Sequence, residues 1–315
     1  MSRLVPWLAL AASAIGLFVA ASALLGGLLP LLFVFGNFAV YAALMCLAAA
    51  VFAWRLKVRT GALAALGAAI VNAAITIPAY IGPPGPAEGA QVKKLFLFNM
   101  HWSNERFDEI ADLIRESDPD IVVLSEVHRR NREGLRAIDA LYPYRLECWQ
   151  SRPCDTLILS RLQLREQFVT GNWMETELGI ARVEFDAGAC PVTLFAVHFT
   201  RPWPFHSLGS NRAQFRQANA LAAAVREWPG AKIVAGDMNA TTWTPIVKAL
   251  AEAASGQALA GVSGTWPSYL PGVLKMPIDH VIVSRPQISA TRKVLAPTGS
   301  DHSPVLVTFS AECGR

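Results

Sequence analysis

Acids, amides and imidazoles recur at the ends of short apolar runs in this chain, and their types suit chemistry on a phosphate. Asn99 ends Lys94–Asn99, with His101 and Asn104 just beyond. Glu126 follows Ile121-Val-Val-Leu-Ser, and His198 ends Val192–His198. Gly236-Asp237-Met238-Asn239 follows Lys232–Ala235. Asp279-His280 lies in the run Ile278–Ser284, and Gly299-Ser300-Asp301-His302-Ser303-Pro304 leads into Val305–Phe309. The oxygens of Glu126, Asn99 and Asp301 are hard donors, the kind that Mg²⁺ or Mn²⁺ takes while keeping several waters. No Cys/His spacing favours structural zinc. His302 beside a carboxylate can move a proton or carry positive charge. Asp237 with Asn239 can orient a water and bind a non-bridging oxygen. Gathered in one site, these groups suit metal-assisted attack of water on a phosphoester. Singly, each has a plainer reading: a solvated Glu after a strand, a satisfied core His, or an Asx turn at Asp237-Met-Asn239. Convergence is what separates the two readings.

The intervening sequence predicts elements able to bring them together. Glu105–Glu116 has helical spacing, with Phe107, Ile110, Ala111 and Ile114 on one face. Asp118-Pro119-Asp120 breaks it before the apolar strand Ile121–Leu124, so residues 94–124 read as strand–helix–strand. Arg129–Leu141 reads as a second, charged helix. Arg145–Trp149, Thr156–Ser160, Leu164–Thr170, Gly179–Phe185 and Val192–His198 read as an antiparallel meander. A helix over about 211–228, the strand Lys232–Ala235, a helix over about 245–254 and the strands Ile278–Ser284, Ser289–Leu295 and Val305–Phe309 complete the chain. Mixed strands and helices over about 220 residues suit one domain of two packed sheets covered by helices.

In order, the chain carries Leu97-Phe-Asn99-Met-His101, Pro119-Asp-Ile-Val-Val-Leu-Ser-Glu126, Leu159-Ser-Arg161, Val197-His198, Gly236-Asp-Met-Asn239, Ile278-Asp-His280 and Ser300-Asp-His-Ser-Pro304. This ordered set resembles the endonuclease/exonuclease/phosphatase superfamily over residues 93–310, in the manner of a bacterial membrane-anchored branch. The resemblance implies a four-layer α/β sandwich, with the site at one end of the two sheets. It implies Glu126 as the main metal ligand with Asn99 beside it and Asp301 on the metal side. Asp237 would activate the water, Asn239 and His198 would contact the phosphate, and Asp279 would orient His302. Arg161 and Arg201 are further candidate substrate contacts. Two positions depart from the pattern: Ser125 stands where many relatives have Gln, and His101 where they often have Asn or Asp.

The chain has 315 residues, 53% of them hydrophobic, and a formal net charge of +4. No Asp, Glu, Lys, Arg or His occurs from Leu4 to Trp54 or from Gly61 to Ile81. Roughly 20 apolar residues cross a bilayer as a helix. Three spans are therefore expected near 4–25, 29–53 and 61–81, within a transmembrane region of residues 1–82. Arg3 and the Arg55, Lys57, Arg59 loop would face the cytoplasm. The catalytic domain, residues 93–312 after a Pro/Gly linker at 83–92, would then be periplasmic or extracellular. Cys148, Cys154, Cys190 and Cys313 suit an oxidising compartment as two disulfides, Cys148–Cys154 and Cys190–Cys313.

Charge outside the apolar region is close to balanced, which argues against a nucleic-acid footprint. The expectation is a membrane-anchored phosphoesterase acting on a monoester, diester or pyrophosphate, including a lipid-linked one. Trp203 and Phe205 are candidates to enter the bilayer interface. The alternatives are an extracytoplasmic nuclease using Arg129, Arg130, Arg132, Arg201 and Arg212, and an inactive binding module.

Overall fold

The computed structural model describes residues 4–148, 154–165, 167–170, 179–203, 206–207 and 209–313. It opens with four helices: α1 (Val5–Leu25), α2 (Phe33–Gly36), α3 (Ala39–Arg55) and α4 (Arg59–Thr76). Two are long and apolar enough to cross a membrane: α1, and α4 with the 3-10 turn that extends it to Tyr80. α3, at 17 residues, is shorter. A continuous second span over 29–53 is not what forms. Residues 26–38 instead turn and dock on the rest of the protein, because their side chains find partners there. Phe33 is buried among Phe195, Val197, Ala218 and Leu221. Thr241 donates to Asn37 Oδ1 through both its backbone N–H (2.8 Å) and its hydroxyl (3.0 Å). Trp243 Nε1 donates to Gly36 O at 2.8 Å. Hydropathy alone does not distinguish such a docked segment from a span.

The helices pack through small residues. Ala9, Ser13, Gly16, Ala42, Cys46, Ala65 and Ala68 are buried, while Leu8, Leu17, Phe18, Leu47, Phe52 and Leu63 are exposed. A Cβ on Gly16 would meet Cys46 Sγ at 2.5 Å, so the backbones approach closely only because that position lacks one.

The remainder is built on two parallel pairs. β1 (Lys93–Asn99), α5 (Phe107–Ser117) and β2 (Ile121–Ser125) form the first strand–helix–strand unit. α6 (Arg129–Gly134) follows, tightening to a 3-10 turn over Leu135–Leu141 where a single helix over 129–141 was expected. The Phe107 ring packs against the Gly134 backbone at this change. β3 (Tyr144–Glu147), β4 (Leu157–Ser160), β5 (Gln167–Thr170) and β6 (Ile180–Ala187) precede the second unit: β7 (Cys190–His198), α7 (Ser210–Glu227) and β8 (Ala231–Asp237). α8 (Pro245–Ala253), β9 (Gly256–Ala258), β10 (Asp279–Ser284), β11 (Ile288–Val294) and β12 (Val305–Ala311) complete it. The three-residue β9 was not anticipated.

One sheet runs β11-β12-β1-β2-β4-β3 and the other β5-β6-β7-β8-β10-β9. Among the described residues, only β1–β2 and β7–β8 pair in parallel. Alternation then assigns the layers. Leu95 and Leu97 of β1 face the core between the sheets, with Val183, Leu194, Ile233 and Val281. Phe96 and Phe98 face Ile110, Ala111 and Ile114 of α5. On the second sheet, Val234 and Ile282 face Leu221 of α7 and Leu250 of α8. The order is helix, sheet, sheet, helix: an α/β sandwich. Disulfides join Cys148 to Cys154 and Cys190 to Cys313, while Cys46 is a buried free thiol between helices.

Candidate active site

The site is where the inter-sheet core reaches one edge of the sandwich. Leu95 and Leu97 point inward, and two residues on so does the position of Asn99. By the same parity His198 continues Leu194 and Ala196, Asp237 continues Ile233 and Ala235, and Asp279 precedes Val281 and Val283. Strand direction selects the edge. Parallel β1, β2, β7 and β8 deliver their C-terminal ends there. Antiparallel β10 delivers its N-terminal end, with Asp279 opposite Asp237, and β12 the loop before it. In that loop Gly299 takes φ +77°, and Ser300 Oγ donates to Asn99 O at 2.8 Å and accepts from His302 N at 3.0 Å. Glu126, Asn239 and His101 adopt left-handed φ of 59°, 47° and 62°. Three such non-glycine residues within one constellation are local strain held by its surroundings.

The polar groups form one connected set. Asn99 Nδ2 donates to Glu126 Oε1 (3.0 Å) and Asp237 Oδ2 (2.9 Å). Trp102 N and Arg201 donate to the two Glu126 oxygens, each at 3.0 Å. His198 Nε2 and His302 Nε2 each lie 3.7 Å from Asp237 Oδ2. Each imidazole is held from behind at Nδ1 by a carboxylate at 2.8 Å, Asp155 for His198 and Asp279 for His302. Asn239 N donates to Asp237 Oδ1 at 2.8 Å, and Gln214 Nε2 fixes the loop through Met238 O and Asn239 O.

Electrostatics follow from this pairing. Burial opposes charge on His302, but Asp279 and Asp237 outweigh it and raise its pKa to about 9. Burial likewise opposes charge on His198, and Asp155 leads the groups that raise it to about 10. Both are imidazolium at neutral pH. Asp237 is pushed up from the ordinary carboxylate range, first by burial, against the pull of His302. Glu126 is held down at about 2; burial works against this, and His198, Asn99, Trp102 and Arg201 overcome it.

Not every expected residue joins the set. Arg161 follows β4, whose Ser160 pairs with Ile121 at the start of β2, the opposite end of the sheet. It is paired there with Asp118 and lies over the Tyr142 ring, so its assignment as a substrate contact is corrected. Asp301 is not hydrogen-bonded into this set but borders a cavity with Arg201, Asn239 and His302, accepting from Trp266 Nε1 at 2.9 Å with Oδ1 buried and without a hydrogen-bond partner among the described residues. Trp203 stacks edge-on against Phe35, 5.6 Å between centroids, and Phe205 lies outside the described residues. Asp155 was missed. It lies two residues before β4, ahead of an antiparallel strand rather than at the end of one; its signal is a carboxylate just after Cys154 and just before an apolar run.

The donor chemistry fits a hard divalent cation. Glu126 borders a cavity of about 450 Å³ shared with Trp102, Asp155, His198 and Arg201, and Asn99 lies beside it. Asp237, Asp279 and His302 also place one ligating atom each within 4.8 Å of one another. The Asp279–His302 hydrogen bond engages two of these three, and Glu126 likewise accepts from Asn99, Trp102 and Arg201.

Comparison with known proteins bears on the fold and the family. The UPF0294 protein VV2535 of Vibrio vulnificus (strain YJ016) is 35% identical over 122 residues, 38% of this chain and 38% of that protein. The match thus spans about two fifths of the curated relative's length. Among solved structures, Sphingomyelinase C from Streptomyces griseocarneus superposes with a TM-score of 0.54 at 16% identity, covering 69% of this chain and 99% of that one. Beta toxin from Staphylococcus aureus, solved with bound magnesium ions, gives 0.57 at 16% identity, over 69% and 99%. Truncated TDP2 from Caenorhabditis elegans gives 0.51 at 18%, over 70% and 98%. At these identities the structures speak to the fold. The model of the endonuclease/exonuclease/phosphatase family matches residues 96–302, from β1 to the His302 of the site, and the chain belongs to that family.

Proposed function

We propose that this protein is a membrane-anchored, divalent-cation-dependent phosphoester hydrolase whose catalytic sandwich lies outside the cytoplasm. The observation that carries the chemistry is Asp237, a buried carboxylate whose Oδ2 lies 3.7 Å from both the His198 and His302 imidazoles. A raised carboxylate pKa makes Asp237 the better proton acceptor from an attacking water. His302 enters protonated, so it stabilises phosphoryl charge or protonates the leaving oxygen. His198 directs Nε2, buried without a hydrogen-bond partner among the described residues, at the same space, and Arg201 adds a third cation. Asn239 fixes the Asp237 carboxylate, and Asp301 adds negative charge beyond His302. Glu126 and Asn99 would hold Mg²⁺ or Mn²⁺, which supplies Lewis-acid stabilisation of phosphoryl oxygens.

Membrane placement is supported by the small-residue interior and large apolar exterior of the helices. It is also supported by their polarity of ends. Arg55, Lys57 and Arg59 join α3 to α4 beside a cluster of Val5, Ala9, Ala53 and Ala62. Val19, Ala23, Ala39 and Ala42 cluster instead with Trp243 of the sandwich. The basic loop and the catalytic domain are thus at opposite ends, and positive loops remain cytoplasmic. The nuclease reading is weakened: Arg132 is buried between Asp139 and Glu147, and Arg201 is engaged with Glu126.

The test is a release screen with the full chain on phosphomonoesters, phosphodiesters, pyrophosphates, phospholipids and DNA, with and without Mg²⁺ or Mn²⁺. Asp237→Asn should lower the cation-dependent rate about 100-fold or more. Absence of any cation-dependent phosphoester cleavage by wild type would overturn the proposal. For topology, alkaline phosphatase fused after residue 90 should be active and a fluorescent protein there dark; the reverse pair of results would invert the orientation.

A further inference from the structure

We infer that the turn between α1 and α3 is the hydrophobic wall of the substrate cleft, and that the cleft takes a phosphoester whose organic group is a lipid chain held in the bilayer. The inference rests on the hydrolase reading above and names the substrate class of that site. A second cavity, of about 200 Å³, adjoins the catalytic groups. Asn239, His302, Arg201 and the Asp301 carboxylate, which accepts from Trp266 Nε1, line its polar part. Phe38, Met276 and Ile278 line its apolar part, with Asn37 beside them. Two of these lining residues, Asn37 and Phe38, come from the helical region, two hundred residues away from Asn239 in sequence. An anchor that only tethered the enzyme would have no reason to contribute them.

The wall is held in place by buried polar bonds to the loops that carry the site. Thr241, two residues after Asn239, donates twice to Asn37. Trp243 donates to Gly36 O, and Tyr41 OH donates to Leu274 O, just before Met276. Breaking such bonds leaves buried polar atoms unsatisfied, so the wall has one position relative to the catalytic groups.

The apolar character continues outward. Phe38, Tyr41, Met45 and Phe52 fall on one side of α3 at helical spacing, and Met45 and Phe52 are exposed. The segment that accepts the Tyr41 bond displays Tyr269 and Val273, exposed by 81% and 61%. An apolar rim therefore runs from the lipid-facing helix to the cavity, and Arg201 and His302 wait at its inner end. A charged phosphate at that end and a chain along Phe38 match the two ends of one molecule. A small water-soluble phosphoester would leave the apolar wall without a partner.

The test uses the full chain in phosphatidylcholine vesicles with Mg²⁺. Vesicles doped with phosphatidylglycerol, phosphatidic acid or a polyprenyl diphosphate are compared with the short-chain, water-soluble analogue of each. For at least one lipid, kcat/KM should exceed that of its soluble analogue tenfold or more. Phe38→Ser should lower that lipid-to-soluble ratio at least tenfold, and Phe38→Leu should restore most of it. The ratio cancels any change in folded fraction. Soluble analogues cleaved as well as the lipids, or a ratio unmoved by Phe38→Ser, would overturn the inference and leave the hydrolase reading standing. Wild type inactive on lipids and soluble esters alike would instead sink the hydrolase reading, and the inference with it.

Discussion

The helical region and the sandwich bury opposite kinds of residue. Between the helices lie Ala, Gly and Ser, and the leucines and phenylalanines point out. Between the sheets lie Leu, Val, Ile and Phe, and charge points out. The hydrophobic effect sorts side chains by the solvent outside, and these two sorting rules are what supports the proposed membrane placement of the helices. Cysteine use divides the same way: a free thiol at Cys46 among the helices, two disulfides in the sandwich. Chemistry divides too, since every strongly polar group of the candidate site belongs to the sandwich. The regions are nevertheless not independent, because Phe33 crosses from one into the core of the other and packs edge-on against Phe215 at 4.9 Å.

Substitutions can be ordered by how sharply they test this division. The largest effect belongs to the site alone. Glu126→Ala and His302→Ala should each reduce phosphoester hydrolysis by about 10³-fold or more, with thermal unfolding and the helical far-UV signal retained. Wild-type rates in either variant would remove that residue from the site. Phe33→Ala tests the crossing point. Deleting a buried aromatic costs about 3–5 kcal/mol, and the loss should appear in denaturant unfolding of the sandwich although the residue is in the helical region. A cost below about 1 kcal/mol would mean the regions are merely adjacent.

The Cys190–Cys313 link closes a separation of 123 residues and should act on the sandwich only. Replacing both cysteines by alanine should cost roughly 2–4 kcal/mol, seen as a lower Tm in the absence of reductant. An unchanged Tm would show that the link contributes nothing.

The smallest effect is a pH window. His280 is buried with Nε2 against Ala240 O, and burial lowers its pKa to about 4. The unfolded chain takes up that proton below about 6.5, while the native state does so only near 4. The unfolded state therefore binds more protons through this window, and stability falls as pH drops from about 6.5 to 4, by about 3 kcal/mol. His280→Gln should flatten this part of the stability profile. The helical run from Leu4 to Trp54 has no titratable Asp, Glu, Lys, Arg or His, so acid sensitivity of this kind belongs to the sandwich.

Much of the site was legible because side-chain chemistry and strand period are local properties. Asn99, His198 and Asp237 could be found as polar residues ending apolar runs, with inward parity readable from the alternation before them. The same method failed where direction mattered. Arg161 also follows an apolar strand, but β4 runs antiparallel to β2, which carries its end away from Glu126 and its beginning, with Asp155, toward His198. The expected span over 29–53 gives way to the shorter α3 for a related reason: apolar residues bury equally well in lipid or in a protein core, and the Phe33, Gly36 and Asn37 contacts show that residues before α3 do the latter.

By itself, then, the sequence determined the residue types of a phosphate-directed site, the two apolar stretches around a basic loop, and the cysteines available for pairing. These follow from composition and short-range periodicity. The tertiary structure decided which strand ends share an edge, that Asp155 stands behind His198, and that Asn37 and Phe38 border the second cavity. Those facts depend on long-range pairing and docking, whose partners lie tens to hundreds of residues apart, and no local pattern encodes them.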